Sequence, residues 1–390
     1  MTVENHLSTY YCNVFPAKIF TKWLTYGKDL SELFEKREIV FILEGGAHLR
    51  YLSYSSPAEF YKELCRRSPE KLDIGAVYNY PPKERLLHSD FMPIQREFVI
   101  DIDLTDYDDV RTCCKEANVC EKCWKFAIVG VRILENALKN HFGFKNFIFL
   151  FSGRRGIHCW VGDEIARKMN NAERTGVVGY LGLTKDDFSP SGSTFSSVTL
   201  HPLLEDAVNI LLNSKVFDDI MEEQDWLDND EKFVKDYFEE PICGVILTSF
   251  ELLDSRRLKW RFLKECYNDS GNNPLNDKEH PVFARMFKRF ILKVVYPRLD
   301  VNVSSSTNHL LKSPFCVHPK TGTVAVPLDL EKLESIKLES FPTVEKLVNE
   351  VRENCPLTQC EINNEKYKTT SLAPYVEIFE GFVNNCIKNQ

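Results

Sequence analysis

The spacing of apolar and polar positions changes period along the chain, and each period predicts an element. Apolar residues recur at helical spacing over Ala17–Tyr26 and Pro57–Arg66, while Glu38–Leu43 and Arg50–Tyr54 read as short strands, so a mixed α/β domain is expected to begin here. Glu97–Leu104 reads EFVIDIDL. Phe98, Ile100, Ile102 and Leu104 alternate there with Val99, Asp101 and Asp103, the period of a half-buried strand, which turns both aspartates to one face. Trp124–His141 returns to helical spacing, Asn146–Phe151 is an aromatic strand stopping at Ser152-Gly153, and Ile157–Val161 is the returning strand. Between about Thr184 and Leu292 strand signals thin out, acidic and apolar residues alternate at helical spacing, and Asn272-Asn273-Pro274 marks a break; this predicts a helical insert. Arg298–Val303 resumes strand alternation, with Leu299, Val301 and Val303 opposite Asp300 and Asn302, and from Leu330 the pattern is helical again.

Composition narrows the class. The 390 residues allow two or three domains, or one large domain carrying an insert. Hydrophobic residues at 43% and charged residues at 27% exclude a disordered chain, a coiled-coil rod and a collagen-like fibre. The longest apolar runs, such as Phe147–Phe151, fall far short of the ~20 residues that cross a bilayer, and MTVENHLSTYYC has no signal-peptide pattern, so a soluble protein is expected. Thirteen cysteines without a secretory signal fit reduced thiols in the cytosol or nucleus. A net charge of -8 disfavours coating nucleic acid by bulk electrostatics. The charge is segregated, however. Leu203–Glu240 holds 13 acids against 3 bases and Arg256–Lys320 holds 13 bases against 5 acids, which leaves room for an anionic ligand at the basic stretch.

Three constellations carry chemistry. Asp101 and Asp103, two apart on a strand, place two carboxylates within reach of one hard cation, and Asp300 stands in a similar setting; three such groups suit two Mg²⁺ or Mn²⁺ ions with a polyphosphate. An edge strand with a solvated polar face is the alternative for an arbitrary Asp-x-Asp. The second is Ser152-Gly153-Arg154-Arg155-Gly156-Ile157-His158 between two strands. Glycines allow a tight turn there, and two guanidinium groups with an imidazole suit a phosphate. His309, Lys312, His318 and Lys320 follow Asp300 and are further donors for the same anion. The third is Cys113, Cys114, Cys120 and Cys123, four thiolates within eleven residues that can surround a tetrahedral Zn²⁺. An all-sulfur set leaves no open position, which makes that zinc structural, and Cys159 and Cys316 are packing residues.

With these pieces in place, the chain resembles the small, catalytic subunit of DNA primase in its eukaryotic form, within the archaeo-eukaryotic primase superfamily. The resemblance rests on REFVIDIDLTDYDDVRTCC, CEKCW, FSGRRGIHCWV, YPRLDVNV with NHLLKSPFCVHPKTG, and TSLAPYV, in order across residues 37–375. It implies an α/β mixed-sheet prim catalytic fold with a structural zinc knuckle and an inserted α-helical subdomain: residues 1–183 as the first part of the catalytic domain with the knuckle at 113–123, residues 184–292 as the insert, and residues 293–390 as the second part with a helical tail. Carried over residue by residue, Asp101, Asp103 and Asp300 hold two catalytic Mg²⁺ or Mn²⁺ ions. Ser152, Arg154, Arg155 and His158 take the triphosphate with Lys312, and His318 lies near the ribose. Arg50 in HLRYLSY resembles a residue needed for nucleotide use, Glu38 and Asp73 fall at matching positions, and Cys113, Cys114, Cys120 and Cys123 bind Zn²⁺.

The implied reaction is template-directed joining of ribonucleoside triphosphates on single-stranded DNA, in the nucleus, with a large iron-sulfur subunit and the DNA polymerase α complex as partners and no membrane. Three rivals differ in their readout. A metal-dependent nuclease would cleave without triphosphates, a non-catalytic nucleic-acid adaptor would be indifferent to Asp101 and Asp103, and a single-chain primase-polymerase would prefer deoxynucleotides.

Overall fold

The computed structural model describes residues 3–389 except 185, 189–193, 198, 270–272, 358–360 and 364. They form two compact units. The first combines Met1–Asp101, Phe144–Val178 and Asp300–Gln390; the second combines Ile102–Gly143 and Gly179–Leu299. The strands in chain order are β1 (Arg37–Ile42), β2 (His48–Leu52), β3 (Lys71–Tyr78), β4 (Pro93–Gln95), β5 (Phe98–Asp103), β6 (Phe147–Phe151), β7 (Gly156–Val161) and β8 (Leu311–Lys312). No described helix is long and apolar enough to cross a membrane.

In the first unit an antiparallel sheet runs β2-β1-β3-β4, and β8 also pairs with β3, setting Lys312 opposite Asp73. A second sheet has the order β5-β7-β6, with β6 and β7 an antiparallel hairpin. Every residue of β1 is buried, including Arg37 and Glu38, so both charges need partners in a place water cannot supply them. Arg37 pairs with Glu97 at 2.8 and 3.0 Å, and Glu38 with Arg50. The flanking helices start as their sequences dictate: Ser56 accepts from the Glu59 amide and Pro57 occupies the first turn of Pro57–Arg67. Trp23 on Ala17–Thr25 meets Trp160 of β7 and Phe379 of the terminal helix Ala373–Lys388 edge to face.

The second unit is helical, with Glu121–Asn136, Pro202–Leu212, Lys215–Glu223, Asp230–Tyr237, Ile242–Phe250, Arg256–Tyr267 and Glu279–Val295. Phe283, Phe287 and Phe290 of the last helix pack against Phe233, Phe238 and Trp260. The acidic and basic stretches meet here. Asp225 and Asp228 pair with Arg256, Asp230 with Lys259, Asp218 with Lys264 and Glu205 with Lys288. Much of the basic excess expected to attract an anion is therefore spent on the acidic block inside one unit.

One predicted strand is absent. Arg298–Val303 does not form one: Val301–Ser305 is a short helix, and Asp300 is its cap, its Oδ1 accepting the amides of Asn302 at 2.9 Å and Val303 at 3.4 Å. The alternation fails because Val301 is half exposed while Val303 is buried, and a local carboxylate-to-amide bond competes well with a ladder. The second strand is also displaced. It is His48–Leu52 and not Arg50–Tyr54, and its pairing with β1 shifts register around Tyr51, whose φ is a left-handed 59°.

Candidate active site

The strand β5 buries Phe98, Ile100 and Ile102 and leaves Asp101 and Asp103 half-buried, as the alternation required, while Val99 on the aspartate face is buried as well. Asp103 accepts the Thr105 amide and hydroxyl, both at 2.9 Å. Asp300 reaches Asp101 through the backbone, its amide donating to the Asp101 carbonyl at 3.2 Å. On the adjacent β7, buried His158 brings Nε2 to 3.6 Å from Asp101 Oδ1. Oxygen donors of this kind are what hard divalent cations require, so the donor chemistry of the three carboxylates fits Mg²⁺ or Mn²⁺.

The turn between β6 and β7 is closed by its own residues. The Ser152 amide donates to the Gly156 carbonyl at 2.9 Å, and the Gly156 amide donates to Ser152 Oγ at 3.1 Å. Gly153 has a φ of 92°, and a Cβ there would fall 2.8 Å from His318 Cβ and 3.0 Å from the Thr323 carbonyl, so only glycine fits. Arg154 and Arg155 are half-buried on this turn. Lys312 Nζ donates to the Ser152 carbonyl at 2.9 Å, and Thr321 Oγ1 donates to the Gly153 carbonyl at 2.7 Å. These bonds bring the segment after Asp300 onto the turn.

The electrostatics around this turn are positive. Burial, reinforced by the cations of Lys312, Arg154, Lys71 and Arg155, depresses the His318 pKa to about 3, so its ring is neutral at physiological pH. Burial also lowers the Lys312 pKa, while Cys316, Asp73 and Asp101 act to raise it. Asp73 is raised by burial against the pull of Lys312, Lys71 and His48. Lys71 is a further cation acting on Lys312 and His318 that sequence reading missed. Its signal was its place two residues before Asp73 on β3, but only the β3–β8 pairing puts it beside Lys312 and His318. His309 is half-buried and its pKa is lowered by burial and by Arg96, with Asp300 acting in the opposite direction. Lys320 is exposed, its amide donating to His318 Nδ1 at 3.2 Å.

Arg50 and Glu38 form a unit of their own. Glu38 is fully buried and accepts from Arg50 Nε and Nη2 at 3.1 and 3.2 Å, from the Tyr51 amide at 3.1 Å and from the Tyr78 hydroxyl at 3.1 Å. Burial opposes the Arg50 charge, and the bonds to Glu38 more than compensate, leaving its pKa raised. These bonds lie within the five-stranded sheet.

In the second unit the Sγ atoms of Cys113, Cys114, Cys120 and Cys123 lie within 4.8 Å of one another. Four thiolates ~2.3 Å from one Zn²⁺ are ~3.8 Å apart in a tetrahedron, and Cys120 and Cys123 stand at 3.9 Å, so the donor set fits zinc. Burial raises Cys114 to about 11 and Cys123 further, and backbone donors lower Cys120 in spite of its burial. Two residues that sequence reading missed support the cluster. Buried Arg111 reaches Cys123 Sγ at 3.7 Å and the Asn118 carbonyl at 2.9 Å, and Gln224 Nε2 reaches Cys113 Sγ at 3.6 Å. Cys159 and Cys316 are buried in the other unit, as packing residues should be.

Residues 100–330, which contain the three aspartates, the basic turn and the cysteine cluster, match the family model described as DNA primase small subunit. The chain is 42% identical to the DNA primase small subunit of Caenorhabditis elegans, over 98% of this chain and 97% of that protein. The chain belongs to the DNA primase small subunit family. Similarity extends to the Drosophila melanogaster small subunit, 35% identical over 100% of this chain and 92% of that one, and to that of Saccharomyces cerevisiae, 34% identical over 99% and 93%. With membership of the primase small subunits comes their catalytic function, the synthesis of RNA primers.

Proposed function

We propose that this chain makes RNA primers on single-stranded DNA by joining ribonucleoside triphosphates, releasing pyrophosphate, on a prim fold formed by residues 1–183 and 293–390 with residues 184–292 as a helical insert. The observation that carries this reading is the cluster of cations around the Gly153 turn, one strand away from Asp101 through His158. Asp101, Asp103 and Asp300 would hold two divalent cations. When bound, these ions supply Lewis acidity toward the attacking 3′-hydroxyl and charge neutralisation at the triphosphate.

The remaining chemistry belongs to the chain. Arg154, Arg155 and Lys312 hold the triphosphate and oppose the negative charge that builds on the departing pyrophosphate, a contribution typically worth several kcal/mol in a preorganised site. Ser152 keeps the turn closed, and His158 orients the Asp101 carboxylate. His318, neutral, presents a hydrogen-bonding edge to the ribose. The Glu38–Arg50 pair shapes the sheet beneath Leu310 and Gly75, and Asp73 faces Lys312 across β3 and β8. No side chain is needed as a nucleophile. The four cysteines hold one Zn²⁺ in a closed structural site.

The partners that fit are a large iron-sulfur subunit, the DNA polymerase α complex and the template strand, in the nucleus. With a net charge of -8, much of the grip on template must come from such partners. The test is synthesis of labelled RNA on a homopolymer template with Mg²⁺ or Mn²⁺, beside Asp101→Ala and Asp103→Ala. Metal- and template-dependent product that both variants lose, with fold and zinc content retained, supports the reading. Variants as active as the parent overturn the metal assignment.

A further inference from the structure

Asp300 is not carried by a strand, so something else must hold it against Asp101. Its neighbours in sequence are a five-residue helix and the loop 306–310, a segment too short to be rigid by itself. Two side chains from other parts of the first unit bind this segment. Fully buried Arg96, just before β5, donates from Nη1 to the Ser306 carbonyl at 3.0 Å and the Val303 carbonyl at 3.4 Å. Asn171 Oδ1 accepts both the amide of Thr307 at 3.1 Å and its hydroxyl at 3.2 Å. Arg96 is itself fixed: its amide donates to the Arg167 carbonyl at 2.9 Å, and its carbonyl accepts from Arg174, which also donates to the Glu97 carbonyl at 3.1 Å.

We infer that Arg96 and Asn171 are positioning residues of the metal site, which clamp residues 303–307 so that Asp300 keeps its register with Asp101. The inference rests on the reading of Asp300 as a metal ligand. The clamp spans both ends of the short helix. Arg96 holds its last turn and the cap residue Ser306, Asn171 holds Thr307, and the Asp300 amide closes the first turn onto the Asp101 carbonyl. A guanidinium buried without a carboxylate hydrogen-bonded to it is costly, and burial together with neighbouring Arg174 lowers the Arg96 pKa to about 9. A cation kept at that cost and directed onto the carbonyls of one loop is doing a positional task.

The experiment is Mn²⁺ binding to the full chain followed by electron paramagnetic resonance, beside primer extension at varied Mn²⁺, for Asn171→Ala, Asn171→Asp, Thr307→Val, Arg96→Met and Asp300→Ala. Asn171→Ala removes both hydrogen bonds to Thr307 and should raise the half-saturating Mn²⁺ concentration at least roughly five-fold, with melting temperature and zinc content unchanged. Asn171→Asp keeps the acceptor oxygen and should restore the parent value, which a merely structural role for the side-chain amide would not predict. Thr307→Val should have a smaller effect of the same sign. Arg96→Met should raise the half-saturating Mn²⁺ concentration as Asn171→Ala does, and an Arg96→Met protein that melts and binds Mn²⁺ as the parent does removes Arg96 from the clamp. If Asp300→Ala loses a Mn²⁺ site but Asn171→Ala binds Mn²⁺ as the parent does, the clamp is wrong and the metal reading stands. If Asp300→Ala binds Mn²⁺ unchanged, the metal reading itself fails.

Discussion

Replacing Glu97 by glutamine should be among the most damaging single changes in the first unit. Glu97 and Arg37 are 0% and 1% exposed, joined by two hydrogen bonds, and the Tyr26 hydroxyl adds a third at 2.7 Å. Burial alone would push the Glu97 pKa up, yet Arg37 and Tyr26 bring it down to about 2, against an ordinary value of 4.5. That depression converts to roughly 3 kcal/mol at neutral pH, in the range of ~3–5 kcal/mol for stranding one member of a buried pair. The sign follows from the direction. A carboxylate depressed in the fold contributes its full stability above pH 4.5 and loses it as pH falls toward 2. Because the chain has two units, the effect is best read locally, as hydrogen exchange of β1, β3 and β5 amides beside a urea titration followed by tryptophan fluorescence. Glu97→Gln should accelerate exchange in those strands about a hundredfold, and the double change Arg37→Met, Glu97→Leu should recover most of the loss. A Glu97→Gln protein within 1 kcal/mol of the parent would refute the claim that this pair anchors the sheet.

Other expectations follow from the same geometry. Cys123→Ser should reduce zinc from one equivalent to substoichiometric levels, measured by chelator release or elemental analysis. Gly153→Ala should raise the KM for triphosphate at least several-fold, since its Cβ meets His318 and the Thr323 carbonyl; an unchanged KM would remove the turn from the binding site. His318, with a pKa of about 3, should show no imidazole titration between pH 5 and 8 by NMR without nucleotide. Its contribution to stability is present above pH 6.5 and declines as pH falls through the interval down to 3, because the unfolded ring takes the proton first.

Sequence was sufficient where the signal is local. The period-2 alternation of EFVIDIDL gave β5 and the common face of Asp101 and Asp103; the glycines bracketing Arg154-Arg155 gave the hairpin; the spacing of four cysteines gave a cluster that closes within 4.8 Å. These depend on covalent neighbours, whose geometry is nearly fixed by φ, ψ and chain length. Long motifs in order also carried the family.

Tertiary structure decided what depends on distant partners. Val301 and Val303 alternate like a strand, yet Asp300 caps a helix there, because its carboxylate found two amides at hand and its own amide found the Asp101 carbonyl. The family resemblance ties Arg50 to nucleotide use, and only the fold shows it as the partner of buried Glu38. Lys71 acts on Lys312 and His318 only because β8, far along the chain, returns to pair with β3. The acidic block from Leu203 to Glu240 had no derivable role until the helices of the second unit set it against Arg256, Lys259, Lys264 and Lys288. Coulomb interactions fall with distance in space, which is why charge segregated along a chain says little about charge left over in the fold.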